Sequence, residues 1–187
     1  MSIASNPRLM TAEEFLQADL GDGQFELVRG EVVRLSPPLY EHGFICSNLT
    51  FHLGSYARRT GFGHTASNDT SVQTQRGPDT VRGPDVLFFS NARWPKPKPA
   101  AVIPPIAPDV AVEVVSPGDR RGEIEAKVGE YLAAGTLAVW VVYPRKRSVV
   151  IHRDPESPPD VLKDGDAIDD QPELPGFRCL VSEIFDG

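Results

Sequence analysis

Apolar residues recur at helical spacing in two stretches of the chain, 42–56 and 124–132. This spacing predicts two long amphipathic helices, the first ending before Gly61 and the second spanning about 119–134. Near the beginning of the sequence, a threonine is followed three residues later by a glutamate, which is the spacing of a capping box. It predicts a short helix over 12–18.

Other stretches alternate between apolar and polar residues or carry short apolar runs, and these predict β-strands. Residues 24–35 predict a hairpin that turns at Arg29-Gly30. Because the second long helix joins two apolar strands through short links, those two strands are expected to be parallel neighbours. The single strands are predicted over 71–76, 81–89, 109–115, 137–143 and 148–153.

The chain has 187 residues, a length typical of one domain. We expect a core over about 36–153 and an N-terminal extension over 1–35, which holds the short helix and the hairpin. A tail over 154–187 is expected to pack on the body. Six prolines between positions 95 and 108 predict an exposed, semi-rigid connection.

The composition is that of a globular protein. Hydrophobic residues make up 40% and charged residues 24% of the chain, as in a globular protein with its own core. We expect a cytoplasmic protein without a membrane partner, because the sequence shows neither an apolar run long enough for a membrane span nor a secretory leader. The two cysteines lie far apart, which argues against a disulfide framework. The net charge of −7 argues against coating nucleic acid by bulk electrostatics, so any such contact should be local.

Three residues are unusual for the elements that carry them. Glu113 interrupts an apolar strand, where a carboxylate loses hydration unless it is paired or binds a metal. Asp85 stands at the head of another strand. If the two strands are neighbours, the carboxylates of Asp85 and Glu113 would repel each other, and a divalent cation between them would relieve that repulsion. Lys127 lies at the edge of the apolar face of its helix, from which its ammonium group can reach over the sheet. Such a set can position water and stabilise a pentavalent phosphorus transition state, which favours phosphodiester hydrolysis.

Six short stretches follow one another in order along residues 10–144. They are Met10-Thr-Ala-Glu-Glu-Phe15, Phe25-Glu-Leu-Val-Arg-Gly-Glu31, Gly83-Pro-Asp-Val86, Pro108-Asp-Val-Ala-Val-Glu-Val-Val-Ser-Pro117, Lys127 through Gly135, and Val139-Trp-Val-Val142. Their order and spacing resemble the Uma-type family of restriction endonucleases in the PD-(D/E)XK nuclease superfamily. The resemblance implies a restriction-endonuclease-like α/β fold, a mixed sheet flanked by helices. One departure is Tyr143, where relatives often have an aspartate.

The resemblance also implies roles for individual residues. Asp85 and Glu113 are the two acids expected to ligate magnesium or manganese. The superfamily's lysine usually stands two residues after the second acid, where this chain has Val115, and the matching lysine is Lys127 on the following helix. Glu26 matches an upstream glutamate of the family, which would complete the metal site or orient water.

The acidic candidates also have ordinary structural explanations. Glu26 alternates on the polar side of its hairpin, as a solvated surface carboxylate does. Asp85 suits a turn after a glycine and a proline. Glu113 could form a structural ion pair with an arginine such as Arg120.

The basic candidates have comparable alternatives. Lys127 could pair with Glu123 or Glu130 on its own helix, and His42 suits the edge of the core better than a phosphate contact. Six arginines are candidate contacts to a nucleic-acid backbone, although dispersed arginines usually lie on the solvated surface. These are Arg58, Arg59, Arg76, Arg82, Arg120 and Arg121.

The function favoured by these residues is a metal-dependent endonuclease acting on DNA. Asp85 and Glu113 would hold one or two Mg²⁺ or Mn²⁺ ions, and Lys127 would assist water or phosphate, with support from Glu26. The alternative is a non-catalytic module that binds nucleic acid or protein and retains the fold. An open cleft in which Asp85, Glu113 and Lys127 converge, rimmed by arginines, would favour the enzyme. Carboxylates locked in arginine pairs, with the mouth of the cleft filled, would favour the module. By analogy with nucleases that cut both strands we expect a homodimer, with the apolar stretch 177–185 as the candidate interface.

Overall fold

The computed structural model describes residues 8–96 and 103–187 of the chain. Its helices are α1 (Ala12–Gln17), α2 (Tyr40–Thr60), α3 (Arg121–Ala133) and α4 (Val181–Asp186). Its strands are β1 (Phe25–Val28), β2 (Glu31–Arg34), β3 (Gly63–Ser67), β4 (Val72–Gln75), β5 (Thr80–Arg82), β6 (Val86–Ser90), β7 (Val110–Val114), β8 (Ala138–Tyr143), β9 (Ser148–His152), β10 (Asp160–Lys163), β11 (Ala167–Ile168) and β12 (Cys179–Leu180).

A six-stranded sheet in the order β10-β9-β8-β7-β6-β3 forms the centre of the molecule. Strands β7 and β8 are parallel, and the other neighbouring pairs are antiparallel. Helix α3 connects the parallel pair, as predicted from the strand–helix–strand pattern. Alternate residues of β7 and β8 point to opposite faces, so that Val112 and Trp140 pack in the core with α2. Ala111 and Val139 pack with α3 on the other face. The predicted mixed sheet flanked by helices is confirmed.

A second sheet joins the N-terminal hairpin to the middle of the chain in the order β2-β1-β5-β4. Strand β1 pairs with β2 as predicted, and it also pairs with β5 through Leu27 and Val81. Helix α1 begins with the predicted capping box of Thr11 and Glu14. Its buried Phe15 packs in the same apolar cluster as Leu27. The hairpin is therefore tied to the segment that leads directly to Asp85.

The C-terminal apolar stretch packs into the core on the α2 side of the large sheet. Phe177, Val181 and Ile184 are all at most 3% exposed and share the cluster that holds Leu49 of α2. These side chains are consumed by contacts within the chain. These three side chains therefore cannot supply the expected interface with a second copy, whereas Phe185 at the end of the stretch is only partly buried. The homodimer stays a prediction.

Some predicted boundaries were wrong. The single strand expected over 81–89 is two strands in different sheets, β5 and β6, because Gly83-Pro84 interrupts the pairing between them. Strand β3 was missed, since Gly63–Ser67 contains no apolar alternation. Part of the predicted proline-rich connection, residues 97–102, lies outside the described residues. Within the described ranges, no helix combines the length and apolarity required to cross a membrane.

Candidate active site

Asp85 and Glu113 stand on neighbouring strands at one end of the large sheet. Val86 is paired with Val112 in the antiparallel register of β6 and β7, so the next position along brings Asp85 opposite Glu113. The Asp85 Oδ2 atom accepts a hydrogen bond of 2.6 Å from the backbone N–H of Val114. The fold thus places two carboxylates side by side, as expected from the sequence if the two strands were neighbours.

The Gly83-Pro84-Asp85 segment carries the chain from the small sheet into the large one. A side chain at Gly83 would meet the Cβ atom of Asp69 at 2.8 Å and its backbone oxygen at 2.9 Å. Only glycine lets the two segments approach this closely. Proline lacks an N–H group and cannot extend the strand pairing. The segment therefore ends β5 and fixes Asp85 at the start of β6.

Glu113 is buried, with 5% of its surface exposed, and both of its carboxylate oxygens have partners. Oε1 accepts a hydrogen bond of 2.7 Å from the Tyr131 hydroxyl group, and Oε2 lies 3.0 Å from Lys127 Nζ. Burial raises the pKa of Glu113, the Lys127 charge opposes this rise, and the nearby Asp85 adds to it. Its partners belong to α3, so the alternative pairing with Arg120 is not observed.

Lys127 reaches from α3 into the same cleft and contacts two carboxylates. Its Nζ atom is 3.0 Å from Glu113 Oε2 and 3.1 Å from Glu26 Oε1. Burial lowers the pKa of Lys127, but the charges of Glu113 and Glu26 raise it by more, above its ordinary value. The ammonium group is therefore protonated at neutral pH. The alternative pairing with Glu123 or Glu130 of its own helix is not what the structure has.

Glu26 lies in the interior with 2% of its surface exposed, unlike the solvated carboxylate that the alternation of its hairpin indicates. Its Oε2 atom is 2.8 Å from Arg82 Nη1, and its Oε1 atom also accepts the backbone N–H of Gly83 at 3.2 Å. Arg82 in turn holds Glu130 through two hydrogen bonds of 2.6 and 2.8 Å. Arg82 is thus consumed inside the protein, which corrects its suggested role as a contact to a nucleic-acid backbone.

Three further side chains at the site were missed or underrated by the sequence reasoning. His42 Nε2 lies 3.2 Å from Asp85 Oδ1, and the hydrogen bond to Asp85 raises the pKa of His42. Tyr131, which the helical spacing assigned to the core, holds Glu113. Asp69 lies beside Gly83, and burial together with the Asp85 charge raises its pKa to about 6. The sequence carries no local signal for Asp69, because its turn has no periodic pattern.

A cleft of about 720 Å³ opens over these side chains. All four predicted site residues line it, and the structure therefore brings them together. They are Glu26, Asp85, Glu113 and Lys127.

The donor set at this cleft fits a hard divalent cation. Asp85 and Glu113 each accept two contacts in the structure, and a carboxylate has about four lone-pair positions, so oxygen donors remain on both. Such oxygens suit Mg²⁺ or Mn²⁺. Ligand atoms of Asp85, His42 and Cys46 also lie within 4.8 Å of one another, but a thiol is a poor ligand for either ion. The His42 and Cys46 donors of that group therefore suit magnesium less well than the carboxylates of Asp85 and Glu113 do.

Comparisons with known proteins agree with the fold. A family model named Uma2, described as a putative restriction endonuclease, matches residues 12–182. The chain is also similar to the crystal structure of a putative nuclease belonging to DUF820 from Anabaena variabilis ATCC 29413. The two share 19% sequence identity and superpose with a TM-score of 0.80, over 94% of this chain and 97% of the other. No curated protein matches the sequence.

Proposed function

The chain belongs to the Uma2 family of putative restriction endonucleases, and on this premise we propose that it hydrolyses DNA phosphodiester bonds in a divalent-metal-dependent reaction. The observation that carries the proposal is the position of Lys127 Nζ, 3.0 Å from Glu113 in a cleft that Asp85 also lines. Two adjacent acids and a fixed cation at an open surface match the needs of phosphoryl chemistry.

Asp85 and Glu113 would hold the metal, which supplies a polarised phosphate oxygen and an acidified water when bound. The ammonium group of Lys127 stabilises the negative charge that grows on the phosphate oxygens. Its contacts with the carboxylates of Glu113 and Glu26 favour the charged form, so we assign it the role of a fixed charge rather than of the base. Tyr131 orients Glu113 through its hydroxyl group, and His42 orients Asp85.

Glu26 supports the site through Lys127. Its carboxylate, fixed by Arg82 and by the N–H of Gly83, holds the ammonium group at 3.1 Å and thereby keeps it over the cleft. Direct ligation of the metal by Glu26 stays a prediction.

One observation favours the second candidate, a non-catalytic module that retains the fold. The Glu26 carboxylate is locked by an arginine at 2.8 Å, as expected of a site that has lost its chemistry. The partner of Glu113, however, is a lysine rather than an arginine, and the cleft above both acids is open. This combination is why the enzyme is the preferred proposal.

Manganese binding tests the proposal before any substrate is known. Isothermal titration calorimetry on the wild type is expected to show saturable binding, and Glu113→Gln is expected to abolish it. The matched control is Glu125→Gln, since Glu125 is exposed on the same helix as Lys127 and pairs with Arg121. It should bind as the wild type does. A folded wild type that binds no manganese, with or without DNA, would overturn the metal-dependent mechanism in favour of the module.

A further inference from the structure

A second cavity, of about 890 Å³, lies between α2 and β3, the edge strand of the large sheet. It shares Gln24, Pro38, His42, Asp69 and Asp85 with the cleft over the acids. The two cavities therefore meet at Asp85. From there the second cavity, which we call the α2 groove, follows the helix as far as Arg58, about 24 Å at 1.5 Å per residue. That length accommodates several nucleotides of a strand.

The charge of the α2 groove differs from that of the whole chain. The chain has 26 acidic and 19 basic residues. Among the described residues that line the groove, the acidic ones are Asp69 and Asp85, both at the junction with the cleft. Beyond the junction the charged lining residues are Arg58 and Lys96, and hydroxyl groups such as those of Thr50 and Thr65 stand between them and the acids. This lining suits a phosphate backbone that continues away from the metal ligands.

An aromatic side chain completes the groove. Phe51 lines it and is 67% exposed, although its apolar ring gains nothing from contact with water. An exposed ring beside basic and hydroxyl groups is a platform on which a nucleic-acid base stacks. In the interior of a duplex both faces of each base are covered by neighbouring pairs, so stacking on Phe51 along a continuous strand requires an unpaired base.

We infer that the α2 groove binds unpaired nucleotides of the DNA strand whose phosphate reaches Asp85. This inference rests on the proposed nuclease function and adds the form of the substrate. The strand would place one phosphate over the acids, stack a base on Phe51 and run past Arg58 and Lys96.

The inference can be tested by fluorescence anisotropy. The two probes are a labelled twelve-nucleotide oligothymidylate and the same strand annealed to its complement. EDTA is present in both titrations so that no cleavage occurs. The wild type is expected to bind the single strand at least about tenfold more tightly than the duplex. Phe51→Ala should weaken single-strand binding by at least about fivefold. Arg58→Gln should reduce the slope of log affinity against log salt concentration by about 0.7 in magnitude.

Tyr40→Ala is the matched control, because Tyr40 is an aromatic residue of the same helix, 86% exposed, and lines neither cavity. It should leave binding unchanged. Equal affinity for the duplex, no binding of either DNA, or unchanged affinity in Phe51→Ala would each overturn the inference. The manganese titration separates failure of this inference from failure of the proposed function. If the protein binds manganese but does not prefer single strands, only the inference is overturned. If it binds no manganese, the proposed metal-dependent mechanism is overturned.

Discussion

The Nζ atom of Lys127 lies 3.0 Å from Oε2 of Glu113, although 14 positions separate the two residues. Their proximity follows from the crossover connection, since α3 must return over β7 before the chain enters the parallel β8. Ile124 and Val128 anchor α3 on the sheet, and Lys127 lies at the edge of their apolar face. The crossover helix thus brings a cation to an acid on the strand before it.

Lys127→Met is expected to lower the rate of DNA cleavage by about 10²- to 10³-fold, the usual effect of removing one electrostatic contact to a transition state. It should also destabilise the fold, because Glu113 and Glu26 would lose the cation between them. Measured by urea unfolding at pH 7 without metal, the loss should be about 3 kcal/mol.

Lys163→Met provides the comparison for this substitution, since Lys163 lies exposed on β10 away from the cleft. It should change neither cleavage nor stability. Equal cleavage rates in the two variants would contradict the role of Lys127 in the reaction.

The sequence reveals the central strands of the large sheet and the two acids that they carry, because both depend on local patterns. The apolar run around Glu113 and the helical spacing around Lys127 are visible in short windows, and the crossover rule joins them. Glu26 shows the limit of this reasoning. Alternation in the hairpin places it on a polar face, but β5, far along the chain, pairs with β1 and brings Arg82 against it, and Lys127 of α3 contacts the same carboxylate. No short window contains that information.

Turns without periodic patterns were also beyond prediction. Asp69 and its neighbour Asn68 have left-handed backbone conformations, with φ of 54° and 64°. They bring the Asp69 carboxyl group to the site through a turn rather than through a strand or helix. Likewise β3 was missed because it reads Gly-His-Thr-Ala-Ser, and its pairing with β6 rather than its own composition makes it a strand.

Arg82→Met should cost about 3–5 kcal/mol of unfolding free energy, because it leaves Glu26 charged and buried without its arginine. Burial raises the pKa of Glu26, but the charges of Lys127 and Arg82 lower it by more. A lowered pKa in the folded state stabilises the fold above the ordinary glutamate pKa, and this stabilisation is lost as pH falls below it. Urea unfolding should therefore be measured from pH 7 down to below about pH 4, the region of the ordinary glutamate pKa. Over this range the difference in unfolding free energy between the wild type and Arg82→Met should shrink.

The double variant Glu26→Gln/Arg82→Met serves as the control for this network. Its cost should be smaller than the sum of the two single costs, because no buried charge is left without a partner. Additive costs would show that Glu26 and Arg82 are not energetically coupled.

His42→Leu is expected to weaken manganese binding by about tenfold, in the range found for groups that orient a metal ligand. The imidazole Nε2 atom lies 3.2 Å from Oδ1 of Asp85, and a leucine side chain has no group that donates a hydrogen bond to this oxygen. Calorimetry on this variant should be compared with His152→Leu, at a histidine of β9 remote from the cleft. Unchanged affinity in His42→Leu would show that Asp85 needs no such partner.

Gly83→Ala tests the close approach that fixes Asp85. The added methyl group would meet Asp69 at 2.8–3.0 Å, within a contact that involves backbone atoms and cannot rotate away. We expect a loss of about 1–3 kcal/mol in unfolding free energy and weaker manganese binding, because the displaced segment leads directly into Asp85.

Gly129→Ala is the matched substitution: Gly129 lies inside α3 with nothing within 4 Å of the added atom. It should stabilise the protein by up to about 1 kcal/mol and leave manganese affinity unchanged. Equal behaviour of the two variants would mean that the approach of Asp69 to Gly83 does not position the acid.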